Sequence, residues 1–278
     1  MEQAIPADAL DDEGGTALLE TLQGKVQLPR GVEAVRESYR NARPFPHAVI
    51  DNLFSPTLLD RVITEAPGKD QWVRIDHGLQ RVERMRSAVE LGPASTELIS
   101  VLHSAAFLYL LSEITGVWQL LPDPYLQGGG HALMHRGGFF QIHADRNVAY
   151  ETGLRRRLAL IIFLNKDWPR EYGGQLELWD DQATRCEVSI DPVYNRTALF
   201  EVAYPNYHGV PAPLACPRDR FRHSFLVYYH TAGAGDNVTP HASVFAPHFY
   251  QKKPSLVERA ARQLMPPLMV RALKALRR

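Results

Sequence analysis

The feature that most constrains this chain is a series of short strand-like segments in its second half. From about residue 117 onward, apolar or alternating runs are separated by turns rich in Gly, Pro and Asn. This texture predicts many short strands with tight connections, since alternation places one face of each strand on a core. Eight strands are predicted, over 131–135, 139–144, 157–164, 175–179, 187–190, 197–202, 206–210 and 222–230.

The part that precedes these strands has a helical pattern. Helices are predicted over 16–24, 31–42, 55–65 and 95–115, with one short strand at His47–Asp51. The region 72–92 is predicted to be helix and loop that cover a pocket. Closely spaced strands preceded by helices predict an all-β core with flanking helices (α+β), of the double-stranded β-helix or jelly-roll type.

Three parts are predicted along the chain. Residues 1–42 form an acidic tail with helices, residues 43–250 form a single domain, and residues 251–278 form basic amphipathic helices. The segment 252–278 holds eight Lys and Arg residues but only one acid, Glu258. Such a pattern is typical either of helices packed on the domain with solvated basic residues, or of a contact with a membrane surface or a protein.

Composition excludes several classes of protein. The chain has 31 basic and 31 acidic side chains, which argues against a globally basic nucleic-acid binder. Two cysteines, Cys186 and Cys216, cannot build a disulfide framework and fit a reducing compartment. No apolar run approaches the ~20 residues of a transmembrane helix, and the acidic N-terminal residues are unlike a secretory signal. We therefore expect a cytoplasmic protein without a transmembrane segment.

Three residues have the spacing of a metal site. His143 and Asp145 lie two apart on a predicted strand, so both project from one face into a cavity, with Gln141 behind them. His208 follows 63 residues after Asp145. Two imidazoles and one carboxylate on one face of an octahedral iron leave three positions open for other ligands.

A second group predicts an anion site. Arg222 and Ser224 share one face of the last predicted strand, and a guanidinium beside a hydroxyl binds a carboxylate with several hydrogen bonds. Arg218 and Arg220 are alternative anchors in the same stretch. Together the two groups describe a site for a metal and for a dicarboxylate that chelates it.

At these residues the sequence resembles the Fe(II)- and 2-oxoglutarate-dependent dioxygenases, in their bacterial prolyl 4-hydroxylase-like branch, over about 44–231. The resemblance implies catalytic Fe(II) ligation by His143, Asp145 and His208, and binding of the C5 carboxylate of 2-oxoglutarate by Arg222 with Ser224. It also implies O2 as a cosubstrate and ascorbate (vitamin C) as a further cofactor. Phe163 stands where oxygen-sensing relatives carry a tyrosine, so another donor must replace that hydroxyl.

The substrate pocket is predicted to be lined by Gln141, Phe163, Trp179 and Tyr228. His131 and His135 are at most pocket-lining residues. The arginines of the covering region either meet an anionic group of the substrate or form a solvated face; they are Arg74, Arg81, Arg84 and Arg86.

The resemblance implies hydroxylation of an unactivated C–H bond in a small-molecule or peptidyl substrate, of the prolyl, amino-acid or peptide-like class. Two alternatives stay open. The same iron site can serve desaturation or epimerisation of a small natural product, and a metal-binding jelly roll can lack catalytic activity altogether.

Overall fold

The computed structural model describes residues 12–65, 72–85, 91–233 and 239–246. The basic segment 251–278, residues 1–11 of the acidic tail and Arg86 lie outside these described residues, so the expectations for them and the division into three parts stay predictions.

Five α-helices occupy the N-terminal part of the described chain. They are α1 (Asp12–Thr21), α2 (Gly31–Asn41), α3 (Pro56–Thr64), α4 (Pro93–Leu102) and α5 (Ala105–Thr115). The single helix predicted over 95–115 is wrong, because Ser104 accepts a hydrogen bond from Phe107 N and so caps the start of a new helix. None of the described helices alone has the length and apolar composition of a membrane span, although α4 and α5 reach it together across a 51° bend.

All eight predicted strands and the early strand are present, within a few residues of their expected ends. The strands are β1 (His47–Asp51), β2 (Trp72–His77), β3 (Gln80–Met85), β4 (Leu121–Pro122), β5 (Gly130–His135), β6 (Phe139–Ala144), β7 (Arg155–Phe163), β8 (Leu176–Trp179), β9 (Cys186–Ile190), β10 (Arg196–Glu201), β11 (His208–Val210), β12 (Phe221–Thr231) and β13 (Val244–Phe245).

Every pairing between these strands is antiparallel, and they join in the order β1-β10-β7-β12-β5-β3-β6-β11-β8-β9. The sheet curls into a nearly closed barrel, since eight of the strands contribute side chains to one internal cavity. The predicted jelly-roll class is thereby confirmed.

The helix and loop predicted over 72–92 are wrong for the residues described there. Strands β2 and β3 form a hairpin, and β3 inserts between β5 and β6. Strand β2 pairs along the whole of one edge of β3; on the other edge, Arg84 lies opposite Ala132 of β5 and Gln80, near the opposite end, lies opposite Phe140 of β6. The backbone groups on that second edge of β3 are therefore satisfied by two distant strands, a long-range pairing that no local pattern reveals.

The helices pack on one side of strand β12 and leave its other side to the cavity. Leu98, Phe107 and Leu111 belong to the same buried cluster as Phe225 and Tyr229 of β12. At ~25 cal/mol per Å² of buried apolar surface, a layer of this kind is the main stabilising contribution in a domain. The helical layer thus fixes β12, whose opposite face carries the predicted anion site.

Candidate metal centre and cosubstrate pocket

His143, Asp145 and His208 come together in the barrel. His143 near the end of β6 lies directly opposite His208 at the start of β11, and Asp145 follows β6. One ligand atom from each of the three lies within 4.8 Å of the others. The Asp145 carboxylate oxygens are 3.4 Å from His143 Nε2 and 3.6 Å from His208 Nε2, and all three side chains are buried.

Backbone carbonyls orient both imidazoles. The Nδ1 atom of His143 is 2.7 Å from the carbonyl oxygen of Gln141, and Nδ1 of His208 is 3.1 Å from that of Asn206. An imidazole that donates from Nδ1 to a carbonyl presents the lone pair of Nε2 to a metal, and such contacts fix the ring orientation. Both Nε2 atoms point toward Asp145, so the three donors converge.

The charge states also suit a metal ligand set. Burial would raise the pKa of the Asp145 carboxyl, but His143, His208 and the charge of Arg156 hold it far below its ordinary value. Burial lowers the pKa of His208 to about 4, so this imidazole is neutral near neutral pH. Two imidazoles and a carboxylate match the non-heme Fe(II) ligand set, and these residues therefore fit an iron ion.

The hydroxyl of Tyr228 completes this part of the site. It donates a hydrogen bond of 3.0 Å to Asp145 Oδ2 within the buried interior. Burial and the charge of Asp145 raise the pKa of Tyr228 well above its ordinary value, so the phenol keeps its proton. The guanidinium of Arg156 lies 3.6 Å from the centre of the Tyr228 ring and fixes its plane.

Arg222 and Ser224 line the same cavity as the three metal-site residues. Arg222 is only 4% exposed, its Nε donates to the carbonyl of Gly174 at 2.7 Å, and its guanidinium lies 4.9 Å from the centre of the Phe163 ring. Burial, with a contribution from the charge of Arg84, lowers the pKa of Arg222 to about 10, so the side chain stays charged. Within the described chain no carboxylate forms an ion pair with it.

Gly174 makes room for this arginine. A Cβ at this position would lie 2.8 Å from Arg222 Cδ, and the backbone φ of +84° is in the region that favours glycine. Of the three candidate anchors, only Arg222 lines the cavity. Arg218 is exposed, and Arg220 donates outside the cavity to the carbonyls of Lys166 and Asp167.

Three of the four predicted pocket residues lie outside the cavity lining, Trp179 and Phe163 among them. Trp179 is not in the cavity, because strand alternation turns Leu176 and Leu178 inward and turns Glu177 and Trp179 to the opposite face. Trp179 packs instead against a separate buried cluster. Phe163 is fully buried beneath Arg222 and supports the guanidinium without lining the cavity surface, whereas Tyr228 lines it as predicted.

Gln141 is displaced from the cavity by a bulge in β6. His143 pairs with His208 and Phe140 pairs with Val210, so three steps along β6 match two along β11. The extra residue brings Phe140 into the cavity, where its ring stacks on His143 at 4.0 Å. The signal was Gly209: a Cβ there would lie 2.8 Å from the Phe140 carbonyl oxygen, and a glycine within a strand often marks a bulge.

Two further cavity residues come from the hairpin that the sequence reading missed. Val82 and Arg84 of β3 project into the cavity from the wall between β5 and β6. His131, which was expected at most to line the pocket, is instead buried against His223, and His135 is exposed beside Glu83. The four-residue spacing of His131 and His135 did not predict where either imidazole lies.

Comparison with known proteins agrees with this geometry. The sequence model of the 2OG-Fe(II) oxygenase superfamily matches residues 129–230. A mouse protein, prolyl 3-hydroxylase OGFOD1, is 34% identical over 64 residues, which are 22% of this chain; the chain spans only 12% of the length of that relative.

Solved structures share the fold. A Pseudomonas putida prolyl 4-hydroxylase superposes with a TM-score of 0.51 at 18% identity, over 73% of this chain and 100% of the other. Prolyl 4-hydroxylases from Phytophthora capsici give 0.50 at 17% identity, over 93% and 75%. The epimerase SnoN from nogalamycin biosynthesis gives 0.50 at 13%, over 78% and 96%. The matched segment 129–230 contains the metal-site residues and Arg222, so the part of this chain that carries the site is similar to the 2OG-Fe(II) oxygenase superfamily, the 2-oxoglutarate-dependent oxygenases.

Proposed function

We propose that this protein is an Fe(II)- and 2-oxoglutarate-dependent hydroxylase that acts on an unactivated C–H bond of a prolyl, amino-acid or peptide-like substrate. One observation carries the proposal. A buried arginine, Arg222, faces the same cavity as the cluster of His143, Asp145 and His208, and no described carboxylate is paired with it. A buried unpaired cation is costly, so this position is built for an anionic ligand.

Each residue has a defined task in this scheme. His143 and His208 through Nε2, and Asp145 through a carboxylate oxygen, would hold the iron. Arg222 would bind the far carboxylate of 2-oxoglutarate, with the Ser224 hydroxyl beside it supplying the donor that Phe163 lacks. Bound iron, 2-oxoglutarate and O2 together supply the oxidising power for inserting oxygen into a C–H bond.

The walls of the cavity serve the same chemistry. Apart from the polar groups named above, the lining is largely apolar and includes Ile161, Leu176, Phe200 and Leu226. Such a surface limits access of water to the reacting groups and strengthens the electrostatic contacts of Arg222. The Tyr228 hydroxyl holds the Asp145 carboxylate in one orientation.

The direct test is the iron-dependent conversion of 2-oxoglutarate to succinate by the purified protein. We expect succinate release that requires added Fe(II), and loss of both metal binding and succinate release in His143→Ala and Asp145→Ala. His241→Ala, which removes a half-buried imidazole that does not line the cavity, serves as the control with unchanged turnover. Tight metal binding without any succinate would contradict the proposal and favour the non-catalytic jelly roll.

The same assay separates the remaining reaction types. Incubation with cell extract and peptide libraries, followed by mass spectrometry, reports a gain of one oxygen atom for hydroxylation and a loss of two hydrogens for desaturation. An unchanged mass with an inverted stereocentre indicates epimerisation. Stimulation by added ascorbate in this assay tests our further proposal that ascorbate maintains the reduced iron.

A further inference from the structure

We propose that Arg84 binds an acidic group of the substrate, so that the substrate of this enzyme is an anion that carries a carboxylate. The inference rests on the proposed function and extends it from a reaction to a class of substrate. It is carried by the position of Arg84 in the cavity wall, by its contacts, and by the balance of charge around the cavity.

The strand register places Arg84 over the cavity. Arg84 of β3 lies opposite Ala132 of β5, and Ala132 lies opposite Ser224 of β12, so the three residues form one row across adjacent strands. All three line the cavity. Because the residue in the middle is only an alanine, the guanidinium of Arg84 is not screened from the cosubstrate end of the cavity.

The contacts of Arg84 hold it in place and leave part of its guanidinium free to bind a ligand. One terminal nitrogen donates to the carbonyl of Gly128 at 2.9 Å, and the guanidinium carbon lies 5.9 Å from the centre of the Phe140 ring. Phe140 in turn stacks on His143 at 4.0 Å. An acidic group held by Arg84 would therefore be separated from the metal site by one aromatic ring, with the rest of the substrate beside the iron ligands.

The other described arginines of the hairpin provide a contrast. Arg74 and Arg81 are exposed and pair with Asp76, each at 3.0 Å. Neither lines the cavity. Arg84 has no ion pair with any carboxylate of the described residues, and it shares the cavity with another cation, Arg222, whose pKa its charge helps to lower.

The balance of charge in the cavity also favours an anionic substrate. Its lining has two guanidinium groups, Arg84 and Arg222, and one carboxylate, Asp145. The two positive charges of Fe(II) and the two negative charges of 2-oxoglutarate cancel, so one positive charge is left over. Arg222 is matched by the cosubstrate in the proposed scheme, and Arg84 is the group that remains for a substrate anion.

The test measures binding rather than turnover. Protein is loaded with Mn(II) and 2-oxoglutarate, and the probes are N-acetylproline, N-acetylleucine and N-acetyllysine, each as the free acid and as the carboxamide. Paramagnetic broadening of the probe protons by Mn(II) reports binding near the metal. We expect the wild type to favour at least one acid over its amide by about tenfold, the scale of a hydrogen-bonded charge contact.

Two variants test whether Arg84 causes the preference for the acid over the amide. Arg84→Gln should abolish it and Arg84→Lys should retain most of it, while the matched control Arg74→Gln should leave it unchanged. Thermal melting verifies that each variant is folded. A wild type without a preference for acids, including one that binds neither member of any pair, overturns the inference, as does an acid preference that survives in Arg84→Gln.

A separate titration with 2-oxoglutarate tests whether Arg84 binds the cosubstrate instead of the substrate. If Arg84→Gln weakens the binding of 2-oxoglutarate itself to the Mn(II) protein, then Arg84 holds the cosubstrate and the inference is wrong. If the wild type binds neither Mn(II) nor 2-oxoglutarate, it is the proposed function that fails. The acid–amide comparison is therefore made only with protein that binds Mn(II) and 2-oxoglutarate. Titration with these two ligands distinguishes a failure of the proposed function from a failure of the inference about Arg84.

Discussion

The two faces of strand β12 are almost equally buried but are built differently. Arg222, Ser224, Leu226 and Tyr228 line the cavity, whereas the residues that alternate with them along the strand, from His223 to Tyr229, face the other way. Of the latter, Phe225, Val227 and Tyr229 join the cluster beneath the helices. We refer to these as the cavity face and the helix face.

The faces differ in how their polar groups are satisfied. On the helix face, the Tyr229 hydroxyl donates to the carbonyl of Leu102. Nε2 of His223 lies 2.8 Å from Nδ1 of His131, and Nε2 of His131 lies 3.0 Å from the Ser95 hydroxyl. On the cavity face, Arg222 has no acidic partner among the described residues, and Tyr228 is bonded to a metal-site carboxylate. Burial alone does not separate structural from functional polar residues on this strand; the identity of their partners does.

The largest effect is expected for Arg222→Met on the cavity face. Removal of the guanidinium should weaken 2-oxoglutarate binding to the Mn(II) protein by about 100-fold or more, because a buried charge contact is lost. The melting temperature without 2-oxoglutarate should not fall, since an unpaired buried cation is replaced by an apolar chain. Calorimetric titration and thermal melting measure the two effects.

Arg220→Met is the control for this change, because Arg220 precedes the same strand but bonds outside the cavity. Its affinity for 2-oxoglutarate should equal that of the wild type. An Arg222→Met protein that binds 2-oxoglutarate normally would remove the functional distinction between the two faces.

A smaller effect, on metal affinity, is expected when one tyrosine hydroxyl is removed from the cavity face but not when one is removed from the helix face. Tyr228→Phe should weaken Co(II) binding by about 10- to 100-fold and alter the visible absorption of bound Co(II), because groups that orient metal ligands contribute on this scale. Tyr229→Phe removes the same atom from the next residue, on the helix face, and should leave both measurements unchanged while lowering stability. Equal Co(II) affinity in the two variants would contradict the assigned role of Tyr228.

The smallest effect is expected on the pH dependence of the free energy of unfolding, through the histidine pair at the helix face. Burial lowers the pKa of His131 to about 4 and, together with the charge of His131, that of His223 to about 3. Between these values and the ordinary pKa of ~6.5 the unfolded chain binds more protons, so the free energy of unfolding falls as the solution is acidified. His223→Gln should reduce this loss by about 1–2 kcal/mol between about pH 7 and about pH 5.

Denaturant titrations at several pH values measure this difference. Other imidazoles, such as those of buried His47 and half-buried His103, also have pKa values lowered by burial and contribute to the wild-type slope. The comparison is therefore between variants, with His241→Gln, at a half-buried position outside this histidine pair, as the control. A slope in His223→Gln equal to that of the wild type would show that this pair does not titrate on unfolding.

Much of this architecture could be predicted from the sequence because its signals are local. Short apolar or alternating runs between turn residues predicted the eight strands. The two-residue spacing of His143 and Asp145, and that of Arg222 and Ser224, predicted that each pair shares a cavity. These are properties of single strands, whose side-chain period is fixed by backbone geometry.

The errors came from features that depend on distant parts of the chain. The bulge opposite Gly209 exchanged Phe140 for Gln141, and the inward turn of Leu176 and Leu178 excluded Trp179. The hairpin was missed because its pairing partners, β5 and β6, lie about 50 residues away in sequence. Register and insertion between strands are decided by tertiary contacts that a single sequence does not display.

The insertion of the hairpin has a consequence for how such enzymes can diversify. The residues that would hold iron and cosubstrate in the proposed scheme lie within 129–230, but Val82 and Arg84 reach the cavity from a separate, earlier stretch of the chain. Exchange of those few positions would retune which molecule is selected while the reactive machinery stays intact. In the proposed scheme, part of the selectivity is thus encoded apart from the reactive groups, and that earlier segment can vary without forcing change on them.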